Sequence, residues 1–255
     1  MRITVLGATG TAGSRTAEAL RERGAEVVEA SRSRGVDLVG GEGLAEALRG
    51  ADAVVDASNP VPAAGSASPE VVEAVSRATR NVLDACAAEG VGHLVLLSII
   101  GIEQPVFDGF PYYLAKREQE RLVASGPVRP SIVKTSQWFE FATNPAAVEQ
   151  SGDEVVVQDW LVQPVAVDSV AAVLAETALG EPLGPVPLLL TGPQRIRLPE
   201  LTARLLKARG DARPVRTVPP RLPELAEGVL LAPDSARVAG PDVDSWLASP
   251  SAQRA

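Results

Sequence analysis

Short apolar runs alternate with amphipathic stretches along the first 135 residues of the chain. The runs have the length and aliphatic content of buried strands, and the stretches between them repeat apolar residues at helical spacing. The predicted strands are 2–6, 26–30, 52–57, 92–98 and 130–135, and the predicted helices are 12–23, 42–49, 69–89 and 112–124. Such alternation predicts a doubly wound parallel sheet with right-handed crossovers and helices on both faces.

The alternation loosens after residue 135. We expect a helix near 138–150, an extended piece at 154–163, a helix at 167–178, a strand at 186–191 and a helix at 197–208. Residues 210–240 are rich in Pro, Arg and Ala and show no clear period. The pattern predicts one continuous α/β domain, with a core over 1–135 and a small C-terminal part over 136–255 that completes the sheet and covers a substrate cleft.

The turn between the first strand and the first helix contains three glycines. Glycine lets the backbone bend tightly and approach a ligand, and a helix start points free N–H groups and its positive dipole end at an anion. A strand, a glycine turn and a helix in this order are typical of a Rossmann-type dinucleotide site. The residues predicted to bind the cofactor here are Gly7, Thr9, Gly10, Thr11, Ala12 and Gly13. The alternative is a structural turn that binds no ligand.

The spacing of these glycines departs from Gly-x-Gly-x-x-Gly, because two residues instead of one lie between Gly7 and Gly10. The turn resembles that of atypical short-chain dehydrogenases/reductases, in particular the NmrA-like NAD(P)H-binding family. The resemblance extends to the segments Pro111–Lys116, Thr135–Phe141, Gln163–Val170 and Asp242–Leu247. It covers nearly the whole chain, with 210–240 the least matched part, and it implies a Rossmann-type fold that binds NAD(P)H.

The loop after the second strand bears on the choice of cofactor. NAD sites usually place an acidic residue there, and Glu29 lies slightly early for that role. The loop instead supplies hydroxyls and guanidinium groups that suit a 2′-phosphate: Ser31, Arg32, Ser33 and Arg34. In the family this loop binds the 2′-phosphate, so we expect NADP(H); the alternative is a solvated surface loop. The resemblance also implies an adenine contact at Asp37 and Leu38, and we expect Ala57 and Ser58 to line the far side of the nucleotide.

Tyr112, Lys116 and Ser98 are the candidate catalytic residues. Tyr112 and Lys116 share one helical face, one turn apart, and Ser98 ends the fourth predicted strand. A nearby ammonium would lower the pKa of the phenol, so that Tyr112 protonates a carbonyl oxygen that Ser98 holds. The chain has three lysines among its 24 basic residues and two tyrosines, which makes the spacing less easily accidental. In the NmrA-like family the tyrosine is not always catalytic, and Lys116 then binds mainly the nicotinamide ribose.

Eight of the nine aromatic residues lie between Phe107 and Trp160. Loops after the fourth and fifth strands of a doubly wound sheet border the crevice where ligands bind, so this clustering predicts a pocket for a flat or apolar substrate. The alternative is a small aromatic core beneath the C-terminal part. The predicted substrate contacts, four of which lie in the segment Thr135–Phe141 that resembles the family, are Tyr113, Gln137, Trp138, Phe139, Phe141 and Trp160.

Composition narrows the function. A net charge of −8 argues against a nucleic-acid-binding surface, and no apolar run approaches a membrane span, so we expect a cytoplasmic protein with a small-molecule substrate. One histidine and one cysteine argue against a metal site, an internal disulfide or a Ser-His-Asp triad. Two classes remain: an NADPH-dependent oxidoreductase acting on a carbonyl, quinone or related molecule, and a non-catalytic NADP(H) sensor of the NmrA type. A dehydratase or epimerase using tightly held NAD is disfavoured by Arg32 and Arg34. The sequence leaves monomer and homodimer open, and its Arg, Ala, Gly and Pro bias suggests a bacterial origin.

Overall fold

The computed structural model describes residues 1–61, 63 and 65–254. The strands are β1 (Arg2–Leu6), β2 (Glu26–Ala30), β3 (Ala53–Asp56), β4 (His93–Ile99), β5 (Pro130–Thr135), β6 (Val148–Gln150), β7 (Val155–Gln158), β8 (Leu161–Val162), β9 (Gly184–Thr191), β10 (Ile196–Arg197), β11 (Val215–Val218) and β12 (Arg237–Val238). The helices are α1 (Thr11–Glu22), α2 (Leu44–Leu48), α3 (Glu70–Ala88), α4 (Pro111–Ala124), α5 (Val167–Leu179), α6 (Leu198–Ala208), α7 (Pro223–Ala226), α8 (Val243–Leu247) and α9 (Pro250–Arg254). Short 3-10 turns occupy Arg32–Arg34, Pro105–Phe107 and Phe139–Thr143. Within this part of the chain, no helix has both the length and the apolar character needed to cross a membrane.

A seven-stranded parallel sheet with flanking helices confirms the predicted fold class. Its strand order is β12-β9-β5-β4-β3-β1-β2. The chain passes from β1 to β2 on one side and then to β3 on the other, so β1 and β3 flank the point where the direction of winding reverses. Ligands of open α/β sheets bind outside the carboxyl ends of the strands at this point.

The chain divides into two compact units. The first consists of 1–134 and 170–188, and the second of 135–169 and 189–255. Most of helix α5 and most of β9 therefore group with the first unit, whereas the sequence interpretation assigned them to the C-terminal part. In the first unit, aliphatic side chains of the sheet, α2 and α3 form a continuous buried core. That core holds the carboxyl ends of β1, β3 and β4 in register beside one another.

The helix predicted near 138–150 is wrong. A 3-10 turn over Phe139–Thr143 ends at Asn144, whose backbone is extended, and the strand β6 follows. Pro145 explains the difference, because a proline disfavours helical geometry in the residue before it. The region without clear period, 210–240, contains only the short elements β11, α7 and β12 among its described residues.

Candidate functional site

The glycine turn joins β1 to α1 by close backbone packing. Gly7 has a φ of +74°, and a Cβ there would lie 2.8 Å from the carbonyl oxygen of Ala57. A Cβ at Gly13 would lie 2.1 Å from the carbonyl oxygen of Gly7. Both positions therefore need glycine for the fold itself. The packing also brings the turn against the backbone of Ala57 and Ser58 at the end of β3, and the nucleotide contact expected of these two residues stays a prediction.

Gly10 differs from its two neighbours in the turn. Its φ of −84° suits any residue, and a Cβ would meet only the Gly7 carbonyl oxygen, at 3.2 Å. Thr9, Gly10 and Thr11 are exposed, and among the described residues no side chain caps the start of α1. The first N–H groups of a helix have no partners within the helix. The protein's own packing thus gives little reason for glycine at position 10, whereas an anion resting on the start of α1 supplies one.

The loop after β2 does not present its two arginines equally. Arg34 makes an ion pair with Glu29 at 2.5 Å, and Arg21 makes a second one with the same carboxylate, also at 2.5 Å. The hydrogen bond from Arg21 and the charges of both arginines lower the pKa of Glu29. Arg32 is exposed and its guanidinium has no polar partner among the described residues, and the Ser31 and Ser33 hydroxyls lie 3.0 Å apart. Arg32 is therefore the guanidinium left available to a phosphate.

The predicted adenine contacts have mixed surroundings. Asp37 is exposed, and its carboxylate accepts the Val39 N–H at 2.9 Å. Leu38 is buried among the aliphatic residues of the first unit, and its carbonyl accepts the Asn81 side-chain amide at 2.9 Å. Only Asp37 has a side chain that a ligand can reach from solvent. The adenine role of both residues stays a prediction.

A buried carboxylate ends β3, which sequence reasoning missed. Asp56 accepts hydrogen bonds from the Ser58 N–H at 2.9 Å and from the Ser58 hydroxyl at 2.5 Å. Its other oxygen lies 3.4 Å from the side-chain amide of Gln119 on α4. The available signal was a single acid at the end of an otherwise apolar strand, Ala53–Asp56.

Lys116 is a buried ionisable group of the candidate site. Only 6% of this residue is exposed. Its Nζ donates to the Leu97 carbonyl oxygen at 3.0 Å and to Oε1 of Gln119. Burial lowers the pKa of Lys116 to about 8; Asp56 and Glu120 oppose the shift, and Lys134 adds to it. The Lys116 ammonium therefore lies at the carboxyl end of β4, the strand end at which the sequence predicted Ser98.

Ser98 belongs to a second network of hydrogen-bonded polar side chains. Its hydroxyl donates to Glu120 Oε1 at 2.5 Å, and Glu120 Oε2 lies 3.1 Å from the Lys134 ammonium on β5. Lys134 also contacts Glu103 at 2.9 Å. Glu120 and Lys134 were missed because nothing in their spacing marks them as partners. The structure places Ser98 next to Leu97, and thus at the same strand end as Lys116.

Tyr112 lies outside the hydrogen-bonded networks of Lys116 and Ser98 among the described residues. Its half-buried ring packs against Val71, Val75 and Ala115, and across the described residues its hydroxyl has no hydrogen bond to Lys116 or Ser98. Burial raises the pKa of Tyr112. The lowering of that pKa that we expect from the Lys116 ammonium in the cofactor complex stays a prediction. Tyr112 is a protonated phenol at neutral pH.

The aromatic residues form two groups rather than one. In the first unit, Tyr113 packs edge-on against Phe107 at 4.7 Å, and burial raises its pKa to about 12. In the second unit, Phe139 stacks on Trp246 at 4.5 Å and is 1% exposed. This packing favours the small aromatic core for Phe139, and it gives Phe107 a packing role within the first unit.

The remaining predicted substrate contacts belong to the second unit. The rings of Phe141 and Trp160 lie 5.1 Å apart, and the Trp138 indole N–H donates to Thr135 at 3.0 Å. Gln137 is buried, and its Oε1 has no hydrogen-bond partner among the described residues. The substrate role of these residues stays a prediction.

Solved structures share this fold. UDP-glucose 4-epimerase from Thermus thermophilus, in complex with NAD, is 23% identical, with 91% of each chain covered and a TM-score of 0.69. MoeE5 in complex with UDP-glucose and NAD is 19% identical over 97% of this chain and 96% of that one, with a TM-score of 0.76. A short-chain dehydrogenase/reductase superfamily protein from Agrobacterium tumefaciens with bound NAD is 18% identical over 100% and 97% of the two chains, with a TM-score of 0.75. These likenesses show the fold alone.

The sequence comparisons complement the structural ones. Comparison with curated proteins finds no match. A family described as NAD(P)H-binding matches residues 7–181, which begins at the first glycine of the turn and includes Lys116. The match covers more than half of the chain and confirms the resemblance that the glycine turn predicted. The chain belongs to the NAD(P)H-binding family.

Proposed function

We propose that this protein is an NADPH-dependent oxidoreductase that transfers hydride to a carbonyl, quinone or related conjugated small molecule of aromatic or apolar character. The observation that carries the proposal is the buried Lys116, which lies beside Ser98 at the carboxyl end of β4. The same unit contains the glycine turn at the end of β1. The proposal thus assigns a dinucleotide site to the end of β1 and a proton-handling site to the end of β4, and in the sheet these two strands are separated only by β3.

The residues present fit NADP(H). An exposed start of α1 without a side-chain cap suits a pyrophosphate, and Gly10 leaves it room. Arg32, with Ser31 and Ser33, suits a 2′-phosphate, because a guanidinium binds phosphate through charge-assisted hydrogen bonds. Lys116 would bind the nicotinamide ribose. When bound, the nicotinamide supplies or accepts the hydride.

The chain's own residues would manage the proton. The raised pKa of Tyr112 keeps its phenol protonated at neutral pH, so it is available as a proton donor. The Ser98 hydroxyl donates to Glu120, so it must turn away from that carboxylate in order to hold a carbonyl oxygen. In the cofactor complex we assign Lys116 an electrostatic role toward this donor, since an ammonium near a phenol favours the loss of its proton.

The non-catalytic NADP(H) sensor remains the second candidate. It is favoured by one observation: within the described chain, Tyr112 makes no hydrogen bond to Ser98 or Lys116. A sensor needs the dinucleotide contacts and has no use for an assembled proton donor. Its partner would be another protein rather than a reducible small molecule.

Three substitutions test the proposal by paired NADPH calorimetry and steady-state turnover, after a panel of aromatic aldehydes, ketones and quinones has identified a substrate. Tyr112→Phe should leave NADPH affinity unchanged and reduce carbonyl turnover by about two to four orders of magnitude, the usual contribution of a positioned acid. Lys116→Met should reduce both the NADPH affinity and the carbonyl turnover. Tyr113→Phe is the matched control and should change neither, because its ring packs against Phe107.

The outcomes separate the two candidates. Full activity in Tyr112→Phe on an aldehyde or ketone would remove Tyr112 as the proton donor. A wild-type protein that binds NADPH tightly but reduces nothing on the panel would favour the sensor and contradict the oxidoreductase.

A further inference from the structure

Lys116 is connected to Asp56 through the side chain of Gln119. The Lys116 ammonium donates to Gln119 Oε1, and Gln119 Nε2 lies 3.4 Å from Asp56 Oδ2. We propose that Asp56 and Gln119 are positioning residues that hold the Lys116 ammonium at the carboxyl end of β4 for the nicotinamide ribose. The proposal rests on the proposed cofactor site and adds to it the residues that prepare its lysine.

The local geometry gives each group one role. Lys116 and Gln119 are three residues apart on α4, so their side chains lie on the same helical face. An ammonium has three donors, and two of them are used by the Leu97 carbonyl and Gln119. The third donor is the one we assign to a ribose hydroxyl.

Gln119 and Asp56 are themselves held in place. Only one orientation of the Gln119 amide lets it accept from the ammonium and donate to a carboxylate. Ser58 occupies Oδ1 of Asp56 with two hydrogen bonds, which leaves Oδ2 for Gln119. Asp56 and Gln119 are both almost completely buried, so neither connection competes with bulk water. The β3 carboxylate thereby acts on a lysine that lies far from it in the sequence.

Electrostatics makes the arrangement measurable. The charged groups that act on Lys116 are Asp56 from β3, Glu120 from α4 and Lys134 from β5. Burial leaves the Lys116 pKa at about 8, so the ammonium is lost within an accessible pH range. Removal of the Asp56 charge takes away one of the two groups that favour the ammonium. The Lys116 pKa should then fall further.

The three lysines of the chain make a direct titration practical. Protein carrying 13C at lysine Cε should give three NMR signals, and the Lys116 signal is the one that disappears in Lys116→Met. We expect Asp56→Asn to lower the midpoint of the Lys116 signal by about one pH unit, the smaller end of the effect of a nearby opposite charge. Asp52→Asn is the matched control, because Asp52 lies at the opposite end of β3 from Asp56. It should leave the Lys116 midpoint unchanged, since Asp52 is exposed and accepts the Arg2 N–H.

A second readout connects the lysine to the cofactor. NADPH calorimetry from pH 6.5 to 9.5 should show a fall in affinity that follows the Lys116 midpoint in the wild type, and the fall should begin at lower pH in Asp56→Asn. A purely structural role of Asp56 would weaken binding equally at all pH values. If Asp56→Asn does not fold, Gln119→Met carries the test, since it keeps the side-chain length but removes the hydrogen-bond acceptor of Lys116. The midpoint of the Lys116 signal should also fall in this variant.

The outcomes distinguish this inference from the proposed function. An unchanged Lys116 midpoint in the folded Asp56→Asn or Gln119→Met variant would overturn the positioning role. Unchanged NADPH affinity in Lys116→Met would instead contradict the placement of the ribose at Lys116, and with it the cofactor site on which the inference rests.

Discussion

Gly10 and Gly13 lie in the same turn but are glycine for different reasons, and one matched pair of substitutions separates them. At Gly13 a Cβ would lie 2.1 Å from the Gly7 carbonyl oxygen and 2.7 Å from its carbon. Both atoms belong to the backbone, so no side chain can move to make room. At Gly10 the backbone has a φ of −84°, and a Cβ would make one contact at 3.2 Å. Gly13→Ala therefore perturbs the fold, and Gly10→Ala perturbs the space in front of α1.

The expected magnitudes follow from those contacts. Overpacking typically costs about 1–3 kcal/mol, and the overlap at Gly13 exceeds the roughly 0.5–1 kcal/mol that alanine gains over glycine within a helix. At Gly10 the reduced freedom of the unfolded chain stabilises by about 0.4–1 kcal/mol, which offsets the single tight contact. We therefore expect Gly13→Ala to lower the free energy of unfolding by about 1–2 kcal/mol and Gly10→Ala to leave it nearly unchanged.

Cofactor binding should show the opposite order. Because a methyl group at position 10 occupies the approach to the start of α1, Gly10→Ala should weaken NADPH binding at least tenfold, or about 1.4 kcal/mol. Urea unfolding followed by tryptophan fluorescence measures the free energy of unfolding, and calorimetry on the folded variants measures the affinity for NADPH. If Gly10→Ala is as destabilised as Gly13→Ala and binds NADPH like the wild type, the turn is purely structural and the reasoning fails.

Two further predictions concern cofactor preference and acid stability. Calorimetry should show that Arg32→Ala weakens NADPH binding relative to NADH binding by about 1.5–3 kcal/mol, the loss of a charge-assisted contact. Arg34→Ala should weaken NADPH binding less, because Arg34 is already paired with Glu29. Equal losses in the two variants would contradict this reasoning. Burial lowers the pKa of His93 below the ordinary 6.5, so the unfolded chain binds the extra proton first, and stability present above pH 6.5 should be lost as the pH falls toward the lowered pKa. In His93→Asn this part of the pH dependence should vanish in urea unfolding, and an unchanged slope would show that His93 does not cause it.

Local features of the site were predictable from the sequence. The glycine turn and the start of α1 follow from residues that are adjacent in the chain, and helix α4 carries Tyr112 and Lys116 at a fixed spacing. The helix expected near 138–150 failed for an equally local reason, since Pro145 was outweighed by the apolar pattern around it. Boundaries elsewhere shifted by one or two residues, as fraying element ends do.

The partners of these residues were not predictable. Asp56 and Gln119 are 63 positions apart, and they meet only because β3 and α4 belong to one packed unit. Glu29 reads as an early acid in the sequence, yet the structure shows it paired with Arg21 and Arg34, which leaves Arg32 available. Side-chain pairing across the fold decides which of several equivalent residues is free to bind a ligand. A single sequence contains no record of that choice.

The buried charges bear on the choice between the two candidate functions. Both an oxidoreductase and a sensor require Lys116, if it binds the ribose. Only an oxidoreductase requires a second group beside it that can exchange hydrogen bonds with a reacting oxygen, and Ser98 is such a group. Its hydroxyl has Glu120 as a partner, and Glu120 is in turn neutralised by Lys134. This ion pair is partly buried, since 18% of the Glu120 side chain is exposed, and it is weak evidence for stability because desolvation offsets the attraction. Its presence at the adjoining ends of β4 and β5 is therefore better explained by a hydroxyl that must be held in place until a substrate oxygen replaces the carboxylate, and this favours the oxidoreductase.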